Sequence, residues 1–411
     1  MQKSTLTIAE PLAHSPAFNT KNRLFKSAMS EQLGDSFHNP SEGLIRVYAA
    51  WSKGGVGLAV TGNVMVDRSA LGEPKNVVLD GQSNLPKFEE WATAGKQNGC
   101  KIWMQLNHPG KQIPSYLCKQ PVAPSAIPLG DVLKSTFNTP RALTESEIEE
   151  IITKFAYGAC AAKEAGFDGV QIHGAHGYLV NQFLSARHNQ REDQWGGSIE
   201  NRMRFVLEVY KAIRENVGPN FPIGIKLNSA DYMKGGFTLE ESMQVLEKLG
   251  NMGIDLIEIS GGTYESPSMV GDKVKASTKA REAYFLDYAE SARKLVIAPL
   301  VVTGGFRSTN AMNAALQSGA TDLIGLARPI AIDPHMPNKA LADTHFSAQV
   351  PSPSTGIKYL DRMMMLSITW FESQIARTAK GKQTKLTLSP WVTIFEILLN
   401  MGWVAFKPRR A

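Results

Sequence analysis

Between about residues 23 and 335 the chain alternates short apolar runs with longer amphipathic ones, and this alternation narrows the possible folds more than any other feature. The strand-like runs are 23–28, 56–63, 101–106, 169–173, 223–228, 255–260, 300–303 and 323–326. Helical patterns lie between them at 42–53, 85–98, 145–165, 200–217, 239–252, 285–295 and 310–318. Thr144 with Glu147, and Thr238 with Glu241, have the spacing of capping boxes, which satisfy the free amides at a helix start. Gly99, Gly166, Gly218, Gly253 and Gly319 stand where helices should stop. Eight strands of parallel type, each followed by a helix, fit a (β/α)8 TIM barrel, with a doubly wound sheet as the runner-up. In a barrel all strand ends meet on one face, so Gln105, His173, Lys226 and Thr303 become neighbours.

The run ending at Ile172 leads directly into His173-Gly174-Ala175-His176-Gly177-Tyr178. A strand alternates its faces, and each buried imidazole needs a polar partner, so a bland packing role does not explain two histidines three residues apart. In the turn leaving the strand, both can point at one small polar atom, with Tyr178 beside them as a proton donor. A metal site would need a third ligand, and no matching set is evident.

The composition, 43% hydrophobic and 20% charged, is that of a soluble globular protein. The net charge of +6 is spread over many residues without a dense basic stripe, which argues against nucleic-acid binding. Three scattered cysteines, Cys100, Cys118 and Cys160, argue against a disulfide framework and are too few for a cysteine-ligated iron–sulfur cluster. The first residues lack the apolar core of a signal peptide, and no uncharged apolar run reaches the length of a membrane span. A cytoplasmic location is the expectation.

The segment 167–205 carries His173-Gly-Ala-His176-Gly-Tyr178, Phe183-Leu-Ser and Gly196-Gly-Ser-Ile-Glu-Asn-Arg202, and it resembles the old yellow enzyme family of FMN-dependent ene-reductases. The resemblance covers roughly residues 6–340 and leaves the tail outside. It implies FMN as cofactor and NAD(P)H as reductant. It implies flavin contacts from Ala28, Met29, Ser30, Gly62, Gln105 and Lys226. Phosphate contacts are expected from Gly304 and Gly305 after one late strand, and from Ala327 and Arg328 after the next, a recurrent barrel phosphate site. His173 and His176 would bind the substrate carbonyl oxygen and Tyr178 would supply a proton to the α-carbon.

Three positions depart from the family pattern. Lys226 replaces a common arginine, keeping a point charge but losing the planar fork. Ala28 replaces a common proline, and Glu31-Gln32-Leu33 replaces an aromatic found beyond Ser30 in some relatives. The implied reaction is reduction of the C=C bond of α,β-unsaturated carbonyl compounds in a ping-pong cycle. The alternatives are a dienoyl-thioester reductase or another FMN dehydrogenase of the same fold and, more remotely, a Schiff-base lyase using Lys226.

The expected division is a barrel over residues 1–345 and a helical extension over 346–411. Residues 107–141 form a long Pro-rich excursion that would partly cover the active face. In the tail, 358–378 reads as helical and 391–406 as an apolar stretch ahead of Lys407-Pro408-Arg409-Arg410. This stretch is expected to dock on the barrel or on another subunit, with peripheral membrane contact as the minor reading. The partners expected are a small-molecule substrate and a possible second copy of the chain, with no nucleic acid and no integral membrane span.

Overall fold

The computed structural model describes residues 6–130, 133–134, 136–266, 282–283 and 285–401. Eight parallel strands form a closed ring: β1 (Leu24–Lys26), β2 (Leu58–Val60), β3 (Lys101–Asn107), β4 (Gly169–Gly174), β5 (Ile223–Asn228), β6 (Leu256–Ser260), β7 (Leu300–Thr303) and β8 (Leu323–Leu326). β8 pairs with β1 through Ile324 with Leu24 and Leu326 with Lys26, which closes the barrel and excludes an open doubly wound sheet. The fold is therefore a (β/α)8 TIM barrel, as the alternation predicts.

Around the ring lie α1 (Glu42–Lys53), α2 (Leu85–Gly95), α3 (Glu145–Glu164), α4 (Leu179–Leu184), α5 (Ile199–Val217), α6 (Leu239–Asn251), α7 (Leu286–Ala292), α8 (Thr309–Gln317), α9 (Arg328–Ile332) and α10 (Met336–Ala342). Both expected capping boxes are formed, at α3 and α6. The helix expected over 85–98 stops at Gly95, because Asn98 and Gly99 adopt left-handed backbone conformations that a helix does not tolerate. The one expected over 285–295 is trimmed to α7.

Alternation along the short strands sorts side chains into two layers. Phe25, Leu58, Val60, Trp103, Leu256, Val301 and Leu323 fill the barrel interior. Leu12 and Phe18, from a hairpin pairing Leu12–Ala13 with Asn19–Thr20, join this cluster, and the Phe18 ring lies 4.8 Å from that of Trp103. Residues of the opposite parity, such as Leu24 and Ala59, pack outward against the helices.

The tail folds as α11 (Lys358–Met363), α12 (Leu366–Ala379) and α13 (Pro390–Met401). The helix expected over 358–378 is broken at Met365, whose φ of +47° interrupts the ladder. α12 docks on α1 and α9 through buried Trp370, Phe371 and Ile375, and the Trp370 indole donates to the Leu388 carbonyl at 3.0 Å. Residues 402–406 of the expected apolar stretch lie outside the described residues. Among the described residues no helix is long and apolar enough to cross a membrane.

One outward residue of β1 is a lysine. Lys26 is fully buried, and its ammonium donates to Glu31 Oε1 at 3.0 Å, the Tyr48 hydroxyl at 2.9 Å and the Val60 carbonyl at 2.8 Å. All three of its donors are used, and the Trp51 ring lies 4.5 Å from the charge. Tyr48 also donates to Glu31 and accepts from the Gly62 amide, so one buried charge ties together the loops after β1 and β2. Removing one partner of a buried pair strands the other charge, which costs about 3–5 kcal/mol. Lys26→Ala is expected to lower unfolding free energy by about that amount in a urea titration, and a loss below about 1 kcal/mol would contradict this account of the pair.

Candidate active site

At the carboxyl ends of the strands the barrel interior changes from apolar to polar. Strand register places Gln105 beside Gln171, His173 beside Lys226, and Lys226 beside Glu258. Gln105 Nε2 donates to Gln171 Oε1 at 2.7 Å, and Gln171 Nε2 donates to Glu258 Oε2 at 2.9 Å. The other oxygen of Glu258 receives the Lys226 ammonium at 3.0 Å and the Thr303 hydroxyl at 2.8 Å. Ser27, just after β1, lies 2.7 Å from Thr303 Oγ1. Gly325 on β8 makes room for this layer, since a Cβ there would fall 1.9 Å from Thr303 Oγ1.

Above the layer sits the histidine turn. His173 Nδ1 is 2.8 Å from Asn63 Oδ1, His173 Nε2 is 3.2 Å from His176 Nδ1, and His176 Nε2 is 2.7 Å from Ser260 Oγ. The amide oxygen of Asn63 can only accept, so His173 carries its proton on Nδ1. His176 Nδ1 then donates to His173 Nε2, and the Ser260 hydroxyl donates to His176. Burial and the nearby Lys226 charge push both imidazoles well below the usual histidine range, so both are neutral. The rings thus meet as the sequence suggests, but they form a donor chain. An incoming oxygen would take the His176 Nδ1 proton in place of His173. His176 has a φ of +62°, a strained conformation held in place by the Asn228 side chain accepting from its amide.

Tyr178 follows, its ring 4.7 Å from that of His173 and its hydroxyl 2.8 Å from the Tyr264 hydroxyl. Burial raises both phenols above their ordinary value, and Tyr178 keeps its proton at neutral pH. Nearby, the Ser30 hydroxyl lies 2.6 and 2.7 Å from the two oxygens of Glu73. Glu372, carried in from the tail by α12, also bonds Ser30 and accepts from Gln32 Nε2 at 2.9 Å. A single hydroxyl proton cannot satisfy two carboxylates. Burial, reinforced by the Glu73 charge, pushes Glu372 up to about 8, and burial raises Glu73 as well.

The remaining expected residues line the same end of the barrel. Ala28, Met29 and Ser30 follow β1 and are half-buried. A Cβ on Gly62 would fall 2.5 Å from the Met29 carbonyl, so only glycine fits between these loops. Gly304 and Gly305 have φ values of +122° and +101°, and among the described residues their amides donate to no acceptor. Ala327 and Arg328 open α9 at the next strand end, and the Arg328 guanidinium lies 6.0 Å from the Phe371 ring of α12.

These features suit the flavin that the resemblance implies. Gln105 Oε1 is buried without a partner, as an acceptor awaiting a donor would be. The two free glycine amides after β7, with Arg328 opening the helix after the neighbouring strand β8, suit a phosphate. Among the described residues no cluster of histidine, cysteine and carboxylate side chains suits a metal ion.

Several participants escape a reading of motifs. Gln171 and Glu258 are polar residues at inward positions of otherwise apolar strands, a signal available in the sequence. Asn63 and Tyr264 come from loops, and Ser260 from the last position of β6, with no such mark. The long excursion is fastened beside Tyr264: Lys111 Nζ donates to the Ile127 carbonyl and lies 2.8 Å from His188 Nδ1, while His188 Nε2 lies 3.3 Å from Glu265.

Comparison with known proteins gives a consistent picture. The family model described as the NADH:flavin oxidoreductase / NADH oxidase family matches residues 9–345. The chain is 37% identical over 369 residues to the NADH-dependent flavin oxidoreductase iliE of Hypocrea jecorina (strain QM6a), across 84% of this chain and 92% of that protein. It is 38% identical over 328 residues to the NADH oxidase of Thermoanaerobacter brockii, across 78% of this chain and 48% of that protein. The old yellow enzyme homologue from Zymomonas mobilis superimposes with a TM-score of 0.70 at 25% identity, across 84% of this chain and 95% of that one.

The raised Glu372 pKa has a consequence for stability. Its carboxyl binds a proton in the folded protein up to about pH 8 but releases it near pH 4.3 when unfolded, so stability falls as pH rises across that interval. Glu372→Gln does not titrate. Its melting temperature relative to the parent is expected to climb from pH 5 to pH 9 in thermal scans, and a constant difference would rule out the raised pKa.

Proposed function

Since the chain belongs to the NADH:flavin oxidoreductase / NADH oxidase family, the FMN enzymes with NAD(P)H as reductant that include the old yellow enzymes, we propose that it reduces the C=C bond of α,β-unsaturated carbonyl compounds in a ping-pong cycle. When bound, FMN would supply the hydride chemistry that couples oxidation of NAD(P)H to reduction of the alkene.

The observation that carries the reading is the cluster of His173, His176 and Tyr178, set over a polar layer whose Gln105 retains an unpaired acceptor. Gln105 and Lys226 hold the ring edge, the lysine as a point charge already anchored on Glu258. Ser30 and Gly62 bound the ring on the side of the first two strands. The amides of Gly304 and Gly305, with Ala327 and Arg328, hold the phosphate. An enone carbonyl oxygen accepts from His176 Nδ1 in place of His173 Nε2, while His173, its own proton held by Asn63, keeps the turn in place. Tyr178 is protonated across the neutral range and delivers its proton to the α-carbon, with the Tyr264 hydroxyl orienting it. The Schiff-base alternative is disfavoured, because the Lys226 amine is ion-paired and enclosed. On this reading residues 1–345 form the catalytic barrel and 346–411 an extension that lends Glu372 to its rim.

Anaerobic stopped-flow tests both half-reactions. Tyr178→Phe is expected to retain bleaching of the flavin band by NAD(P)H while slowing reoxidation by an enone at least 100-fold, as loss of a general acid does. Equal losses in both halves would remove the proton-donor role. Substituting His173 and His176 together by alanine is expected to weaken phenolic ligands by about 2–4 kcal/mol in charge-transfer titrations, with unchanged affinity as the contrary result.

A further inference from the structure

The basic character of the chain belongs almost wholly to its tail. Residues 346–411 hold nine Lys and Arg against three Asp and Glu, a net +6 equal to that of the whole chain. The preceding 345 residues carry 35 of each sign and are neutral. Charge that looks evenly spread when only totals are considered is therefore segregated, a pattern associated with an anionic partner.

The same segment presents an apolar stripe to solvent. Trp391, Phe395 and Leu399 of α13 are 52, 61 and 64% exposed, and Val392 and Leu398 are exposed beside them. At 100° per residue these five side chains fall within an arc of about 120°. Thr393, on the opposite side, and Ile394, at the flank of the stripe, are buried. The helix carries one charged residue, Glu396, at the edge of the stripe. Lys380, Lys382 and Lys385 stand exposed just before it and make no ion pair among the described residues. In sequence, Trp403, Phe406, Lys407, Arg409 and Arg410 follow it.

We propose that α13 docks this tail on an anionic lipid surface. Trp391, Phe395 and Leu399 enter the boundary between headgroups and acyl chains, and Lys380, Lys382 and Lys385 pair with lipid phosphates. Charge selects this occupant. A second copy of the chain would set one +6 tail against another, whereas an anionic bilayer neutralises it. The 12 described residues of α13 are too few to span a membrane, and a tryptophan beside a basic flank suits the interfacial zone.

The test is co-sedimentation of the FMN-loaded full chain with phosphatidylcholine vesicles, with and without one third phosphatidylserine. Binding is expected to the anionic vesicles, at least tenfold weaker to the neutral ones, and to weaken with added salt. Substituting Trp391, Phe395 and Leu399 together by serine should reduce it at least tenfold while flavin content and melting temperature are retained. Replacing Lys380, Lys382 and Lys385 by glutamine should cost about fivefold per charge. Failure to sediment with either vesicle, equal binding to both, or undiminished binding by the serine variant would each overturn the proposal. So would light scattering that shows a dimer dispersed by the serine substitutions, without vesicle binding by the parent.

Discussion

A single carboxylate at the middle of the barrel organises the active face. Glu258 is fully buried, and removing a carboxylate from water costs several kcal/mol unless charge and hydrogen bonds replace the water. The Lys226 ammonium, the Gln171 amide and the Thr303 hydroxyl do so, each from a different strand. Because each partner is itself constrained, the consequences spread. Gln171 takes one donor of Gln105 and leaves that amide's oxygen buried without a partner, and Thr303 engages Ser27 at the exit of β1. The polar groups proposed to meet a flavin ring are therefore set by the need to bury one charge. Lys226 in turn serves as a fixed charge where a nucleophile would need a free amine.

The barrel was legible in the sequence because its signals are local and repeated. Apolar runs, capping boxes and helix-stopping glycines recur along the chain, and each is read within a few residues. The errors were at ends and breaks, as at Asn98 and Met365, where a left-handed residue other than glycine stops a helix without warning in the composition. The site was legible in part. His173, His176 and Tyr178 advertise themselves by spacing, but the donor chain joining the histidines depends on Asn63 and Ser260, which reach them from other strand ends. Glu73 and Glu372 converge on Ser30 from opposite parts of the chain, and no periodicity records such a meeting. Lys26 was hidden for another reason: nothing in the apolar run 23–28 marks it as the hub of a buried ion pair.

Protonation ties the inner and outer parts of the site together. The histidines are neutral because a lysine charge and burial leave no room for another positive charge. Tyr178 is neutral because burial penalises a phenolate. On the rim burial raises Glu73 and, together with the Glu73 charge, pushes Glu372 up to about 8, holding a proton on an acid that would shed it in water. A cavity lined this way donates hydrogen bonds at neutral pH from groups that keep their protons. Such an environment suits a substrate whose carbonyl oxygen gains charge during reaction.

The tail then acquires two faces. α12 is the hinge between them: Phe371 and Glu372 turn toward Arg328 and Gln32 at the cleft, while Trp370 and Gln374 hold the backbone at Leu388 and Lys385 that leads to α13. A helix recruited only to cover apolar surface would not need to place a carboxylate against Ser30. A helix recruited only to carry a surface segment would not need to bury Trp370, Phe371 and Ile375. α12 thus meets both the rim of the site and the segment leading to α13 as one packed element. The extension is built outward from the cleft, with buried contacts at the barrel and exposed Lys380, Lys382 and Lys385 between α12 and α13.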